Sequence, residues 1–259
     1  MRNAECGMRN ENATVVGALR AAAGFTMIEI AICLAIIGFA LVAIIGVLPY
    51  GMNTQRDNRE ETVINQDATV LLEAIRSGAR GADDLTNYVY AIVNTGDNSV
   101  GYINPTLAGQ MNFTKPSSVS TWYNTLTSGT NIVGLMSTPE FWNGASNHIT
   151  AYVRSISGLA SGMPPQNNDV MIGDTFSYRV YCVNAAVAYD TNSSLAGFSK
   201  QLNGNLHELR MTFLWPQLPN GNVGGGRQTF RVSVAGQLAQ NPANGVLFYY
   251  NPQFFTNSP

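Results

Sequence analysis

The longest uninterrupted apolar stretch, Ile30 to Leu48 (IAICLAIIGFALVAIIGVL), runs for 19 residues without a charge. As a helix it would extend about 28 Å at about 1.5 Å per residue, close to a hydrocarbon core of about 30 Å. It is apolar on all sides, which separates it from an amphipathic surface helix. A buried core helix and a secretory signal peptide are the alternatives. A signal peptide has a shorter apolar stretch with a small-x-small cleavage site after it, whereas Pro49-Tyr50-Gly51-Met52 follows this one. The stretch therefore reads as a membrane anchor. Beyond it the pattern changes. Between residues 54 and 80, Val63, Ile64, Ala68, Leu71, Leu72 and Ile75 recur at spacings of three and four with charges between them, which predicts an amphipathic helix. Gly78 and Gly81 are its expected stops. Together the two segments predict one helix from residue 25 to about 78, bent near Pro49.

From 85 to about 170 the chain is rich in Asn, Ser, Thr and Gly, with short apolar pieces at Tyr88–Val93, Thr121–Leu126 and Ile149–Ile156. The reading is loops with short strands, anchored by Trp122, Tyr123, Phe141, Trp142 and Tyr152. Trp122-Tyr123 has two readings, an interaction surface or core packing. The second is favoured, because aromatic residues dominate cores. Strand patterns are clearer further on. Phe176 to Val183 is one candidate. Leu209, Met211, Phe213 and Trp215 alternate with Arg210, Thr212 and Leu214, and Phe230, Val232 and Val234 alternate with Arg231, Ser233 and Ala235, the period of half-buried strands. Pro216 to Gly226 (PQLPNGNVGGG) reads as the turn of an antiparallel hairpin between them. The fold class is α+β: a long N-terminal helix whose distal half packs on an antiparallel sheet through Ile64, Leu71 and Ile75.

Charge sharpens this division. Of 259 residues only 12 % are charged, against about 25 % in ordinary soluble domains. Residues 51–84 hold 4 Arg and 7 Asp/Glu, whereas residues 85–259 hold 7 Lys/Arg and 6 Asp/Glu. A distal surface so poor in charge suits an extracytoplasmic or assembling protein. The net charge of −2 and the presence of only two lysines, Lys115 and Lys200, argue against a nucleic-acid partner, which calls for a basic stripe. Cys6, Cys33 and Cys182 lie in three different segments, so no disulfide within one chain is expected.

Sites for chemistry are sparse. Gly224-Gly225-Gly226 has no following Lys-Ser/Thr and sits between strands, so it reads as a loop and not a phosphate cradle. His148 and His207 have no His or Cys neighbours at metal-ligand spacing. Asp169 and Asp174 flank a turn and read as solvated loop residues, and no dense Asp/Asn string marks a calcium loop. No GxSxG string or Cys/His pairing suggests a nucleophile. No enzyme, cofactor or metal is expected.

One residue does not fit a plain anchor. Glu29 stands at the mouth of the apolar run, where a charged residue costs about 2.5–3.5 kcal/mol on insertion scales and calls for a partner. A cut before Phe25 would create an α-amine four residues away. Gly24-Phe25-Thr26-Met27-Ile28-Glu29, followed by the long apolar helix, resembles the type IV prepilin signature shared by pilins and type II secretion pseudopilins. The resemblance covers about 25 residues, or about 60 with the helical continuation. It implies a pilin-like fold, with residues 1–24 a cytoplasmic leader and 25–50 a transmembrane and filament-core helix. Residues 51–84 would continue the helix, and 85–259 would form a β-rich extracytoplasmic domain. Gly24 would be the cleavage glycine, Phe25 the N-methylated first residue, and Glu29 the carboxylate that meets the terminal amine of a neighbouring subunit. The partners implied are the prepilin peptidase, other pilin or pseudopilin subunits, and the inner membrane. Met27 stands where leucine is commoner in the family. Gly46 occupies the place of its usual helix-kinking proline, so local melting during assembly is expected between Gly46 and Gly51. The alternative is a membrane-tethered extracytoplasmic binding or adhesion protein that does not polymerise.

Overall fold

The computed structural model describes residues 24–80, 82–97, 99–157, 176–187, 196–218, 220–243 and 245–255. It divides into two compact units, Met1–Gln55 and Arg56–Pro259.

Helix α1, Met27–Arg76, begins in the first unit. Every described residue from Gly24 to Gln55 is exposed. This part of α1 is long and apolar enough to cross a membrane, and a helix closes its backbone hydrogen bonds within itself, as hydrocarbon requires. Helical structure continues through Pro49. That ring has no N–H, so the carbonyl four residues before it loses its donor there.

In the second unit α1 turns one stripe inward: Val63, Ile64, Ala68, Leu71 and Ile75 are buried, with Asp67 among them. The helix ends in a Schellman motif. Ala79 N–H reaches the Ala74 carbonyl and Gly78 N–H the Ile75 carbonyl, each at 3.1 Å, with Gly78 at φ +68°. This is the left-handed stop that glycine favours. The helix therefore stops at Gly78, where the sequence places its first glycine stop, and a 3-10 helix, Asp83–Asn87, follows.

The strands are β1 (Val89–Asn94), β2 (Val100–Ile103), β3 (Thr121–Tyr123), β4 (Phe141–Trp142), β5 (Ala145–Ser146), β6 (Ile149–Arg154), β7 (Ser177–Ala186), β8 (Leu206–Gln217), β9 (Val223–Ala235), β10 (Gln237–Gln240) and β11 (Phe248–Asn251). Seven make one sheet in the order β3-β2-β1-β6-β7-β8-β9, and β4–β5 and β10–β11 form separate pairs. All neighbours in the large sheet are antiparallel except β2 and β3, which are parallel. Helix α2 (Pro105–Gln110) starts with Asn104 accepting from Leu107 N–H and Pro105 in its first turn, the expected N-terminal chemistry. Helix α3 (Gly129–Met136) and helix α4 (Ala196–Asn205) are the other helices among the described residues. Helices α2 and α3 stand where loops with short strands were expected. Both are short, at 6 and 8 residues, about two turns at most, so an apolar period has no room to repeat.

The sheet has two differently covered faces. On the inner face Tyr178, Val180, Leu209, Met211 and Phe213 meet the α1 stripe in the main core. On the opposite face Tyr90, Ala91, Val93 and Tyr152 pack under Leu107 and Ala108 of α2 and under Phe113 and Trp122. The turn of the distal hairpin is shorter than its glycines suggest: β8 runs to Gln217, and β9 starts at Val223 and takes in all three glycines. The reason is steric. A Cβ on Gly226 would lie 2.4 Å from the Trp215 indole, and one on Gly224 would lie 2.5 Å from Pro216 Cδ. Gly224 and Gly226 give the Trp215-Pro216 rings room against the neighbouring strand.

Candidate functional site

The three residues singled out at the N-terminus lie together at the start of α1. Glu29 N–H donates to Thr26 Oγ1 at 3.3 Å, and Thr26 N–H donates to Glu29 Oε2 at 3.4 Å. This is a reciprocal capping box, Thr-x-x-Glu, which satisfies two donors that a helix start leaves open. The carboxylate also lies at the positive end of the helix dipole. The spacing Thr26-Met27-Ile28-Glu29 carries this signal, a local use for Glu29 beside the assembly role that the resemblance implies. Glu29 Oε1 has no hydrogen-bond partner among the described residues. Phe25 is 77 % exposed and Met27 88 %. A Cβ on Gly24 would meet nothing within 4 Å, and the same holds for Gly38, Gly46 and Gly51, so packing among the described residues does not account for any of these glycines. Residues 1–23, the bulk of the expected leader with Cys6, lie outside the described residues.

A second polar centre sits where the sequence reading sees only stripe. The Asp67 carboxylate is fully buried and accepts four hydrogen bonds, from Ile156 N–H at 2.9 Å, Ser157 N–H at 2.8 Å, Ser157 Oγ at 2.5 Å and Tyr178 OH at 2.8 Å. It thereby clips α1 to the segment after β6 and to β7. Burial raises its pKa above the ordinary value, with these hydrogen bonds pulling the other way. Its position was legible: Ile64, Asp67 and Leu71 fall at helical spacing, so a carboxylate interrupts the apolar stripe.

The remaining candidates show no reactive arrangement. His207 is buried, edge-on to Tyr250 at 5.7 Å, and burial lowers its pKa. His148 is exposed, 3.4 Å from Ser146 Oγ. Cys33 is exposed, while the Cys182 thiol is buried and pushed up to about 12. Trp122 takes the packing role, edge-on to Phe113 at 6.0 Å with its indole N–H on Val119 O, whereas Tyr123 is 50 % exposed. Asp169 and Asp174 lie outside the described residues. Among the described residues no three His, Cys, Asp or Glu side chains gather as a metal would need. No protein-family model, curated protein or solved structure matches the chain.

Proposed function

We propose that the chain is a structural subunit, a minor pilin or pseudopilin of a type IV pilus or type II secretion pseudopilus. In this reading it is cut between Gly24 and Phe25, methylated on Phe25 and assembled through α1. The leader faces the cytoplasm, the helix sits in the inner membrane, and the β-rich unit is extracytoplasmic until assembly carries it into a filament. It has no catalytic role of its own. One observation carries the reading: a fully exposed, charge-free helical run directly follows Gly-Phe-Thr-Met-Ile-Glu. An exposed helix of this length needs another apolar environment, lipid or neighbouring helices, and no packing contact among the described residues calls for a glycine at Gly24. The pilin-like arrangement is supported by the continuation of the same helix into a stripe that packs on the antiparallel sheet.

The tethered-binding alternative draws support from the capping box, which gives Glu29 a use in a chain that never polymerises. Glu29→Gln separates the two, because glutamine also serves at this position of the box while removing the charge. In the assembling subunit Oε2 serves the cap and Oε1 remains for a neighbour's Phe25 amine. Without the carboxylate that amine is left buried and uncompensated, at a cost of about 3–5 kcal/mol.

The test is made in the native host. Intact mass should fit a chain beginning at Phe25 with one added methyl; a protein retaining Met1, or starting beyond Tyr50, defeats the reading. Glu29→Gln should be expressed, cut and inserted normally, while the ratio of sheared-filament to membrane-pool protein falls about tenfold or more. An unchanged ratio selects the tethered alternative.

A further inference from the structure

The sheet has a basic outer face at its β7–β8–β9 end, over which no element among the described residues packs. Register places Arg179 opposite Leu214 and Leu214 opposite Arg227, and places Arg210 directly opposite Arg231. Alternation turns all four arginines away from the core-facing Val180, Met211 and Phe213. Glu208, bound to Arg210 at 2.9 Å, is the one acid on this face among the described residues. Two arginines facing each other across a strand pair repel. Arg210 Nε is moreover buried without a hydrogen-bond partner. Arg227 and Arg231 are exposed and have no ion pair among the described residues. Arg179 is fixed at the margin by Gln217 and by stacking 5.1 Å over Tyr152. Such a face is built to receive carboxylates or another anion.

The chain itself carries the complement on the other side of the same layer. Helix α1 lies on the inner sheet face, held there by Asp67 and by Gln228, which donates to Asn65 at 3.1 Å. Its solvent side presents Asp57 and Glu61, both exposed, one helical turn apart and without an ion pair among the described residues. Arg56 is engaged with Glu60 at 2.8 Å, and Arg59, two positions from each acid, lies off their face. From Phe25 on the chain has 11 Lys/Arg and 14 Asp/Glu; with the four arginines and Glu208 of the patch set aside, 7 and 13 remain, so another copy is acidic outside this face.

We propose that the outer face of β7–β8–β9 is the docking surface for the Asp57–Glu61 side of α1 in a second copy of this chain. The proposal rests on the reading of the protein as an assembling subunit and names a partner surface for it. The two patches are different surfaces on opposite sides of the sheet, so the contact is heterologous and head-to-tail, the type that propagates instead of closing as a pair.

The experiment uses the full chain in membranes of its processing host, with Cys33→Ala to silence the exposed thiol. Glu61→Cys and Arg231→Cys placed together and treated with a short bismaleimide should give a ladder of multimers, while either cysteine alone stays monomeric. Adding Arg210→Glu and Arg227→Glu should remove at least nine-tenths of the ladder, and further adding Asp57→Arg should restore it. The restoration excludes misfolding as the cause of the loss. A monomer only, a dimer that never extends, or a ladder indifferent to the charge reversals would overturn the proposal. Arginine-dependent retention on a polyanion resin without a ladder would also overturn it, in favour of a polyanion surface. If Phe25-processed protein enters filaments normally without a ladder, this docking falls and the subunit reading stands; if neither ladder nor filament forms, both fall.

Discussion

Asp67 shows what one buried carboxylate can do when every donor around it converges. Burying an ion is costly, and here two backbone N–H groups and two hydroxyls offset that cost. Removing the acceptor leaves those donors unsatisfied, so Asp67→Ala should destabilise the Arg56–Pro259 unit by about 1–3 kcal/mol in chemical denaturation. Because the folded pKa lies above the unfolded one, the residue's titration stabilises most below the ordinary carboxyl range. That part is lost as pH rises through the raised value. Asp67→Asn cannot titrate, so its melting temperature relative to the parent should improve as pH climbs through that window; a constant difference would show that the carboxylate titrates as it does unfolded. The reciprocal pair at Thr26 and Glu29 was as legible as Asp67, since both follow from spacing alone. The partners of Asp67 were not: Ile156, Ser157 and Tyr178 lie 89 to 111 positions away, and only the fold brings them together.

At the level of elements, local chemistry was most readable where it repeats. The α1 stripe and the alternation along β8 and β9 could be seen because burial imposes periods of about 3.6 and 2. The end of α1 was readable as well, for Gly78 adopts the left-handed conformation that stops it. Gly78→Ala faces two penalties, the positive φ and a Cβ 2.4 Å from the Tyr250 carbonyl oxygen. It should cost more than about 1 kcal/mol in thermal or denaturant unfolding, whereas Gly46→Ala, in open space, should leave this unit's stability unchanged. The glycine run of β9 misleads because its purpose lies on the adjacent strand. Glycines usually punctuate turns, but Gly224 and Gly226 make space for Pro216 and Trp215, a cross-strand demand invisible along the chain. The parallel pairing of β2 with β3 was hidden in the same way, since three residues of β3 carry no period.

For the whole molecule, burial divides the chain as hydropathy does: no described residue before Arg56 is buried, and the core is built entirely from residues after it. A chain starting at Thr54 should therefore be soluble and unfold cooperatively, within about 0.5 kcal/mol of the Arg56–Pro259 unit in the full protein; a broad, non-cooperative transition would show that the preceding residues contribute to the fold. What the sequence could not reveal is the covering of the far side of β1 and β6 by α2 and the segment that follows it, because those contacts join short polar-rich pieces without periodicity. The side-by-side seat of α1 on the sheet also sets how the molecule bears tension. Its buried positions from Val63 to Ile75 stretch about 18 Å along the helix axis, with the Asp67 clip between them. A pull along α1 would load this seam in shear, straining all of these contacts together, whereas a pull at right angles would peel them one turn at a time. The helix is thus seated like a lap joint, strongest along the direction in which a tethered or polymerised chain would be stretched.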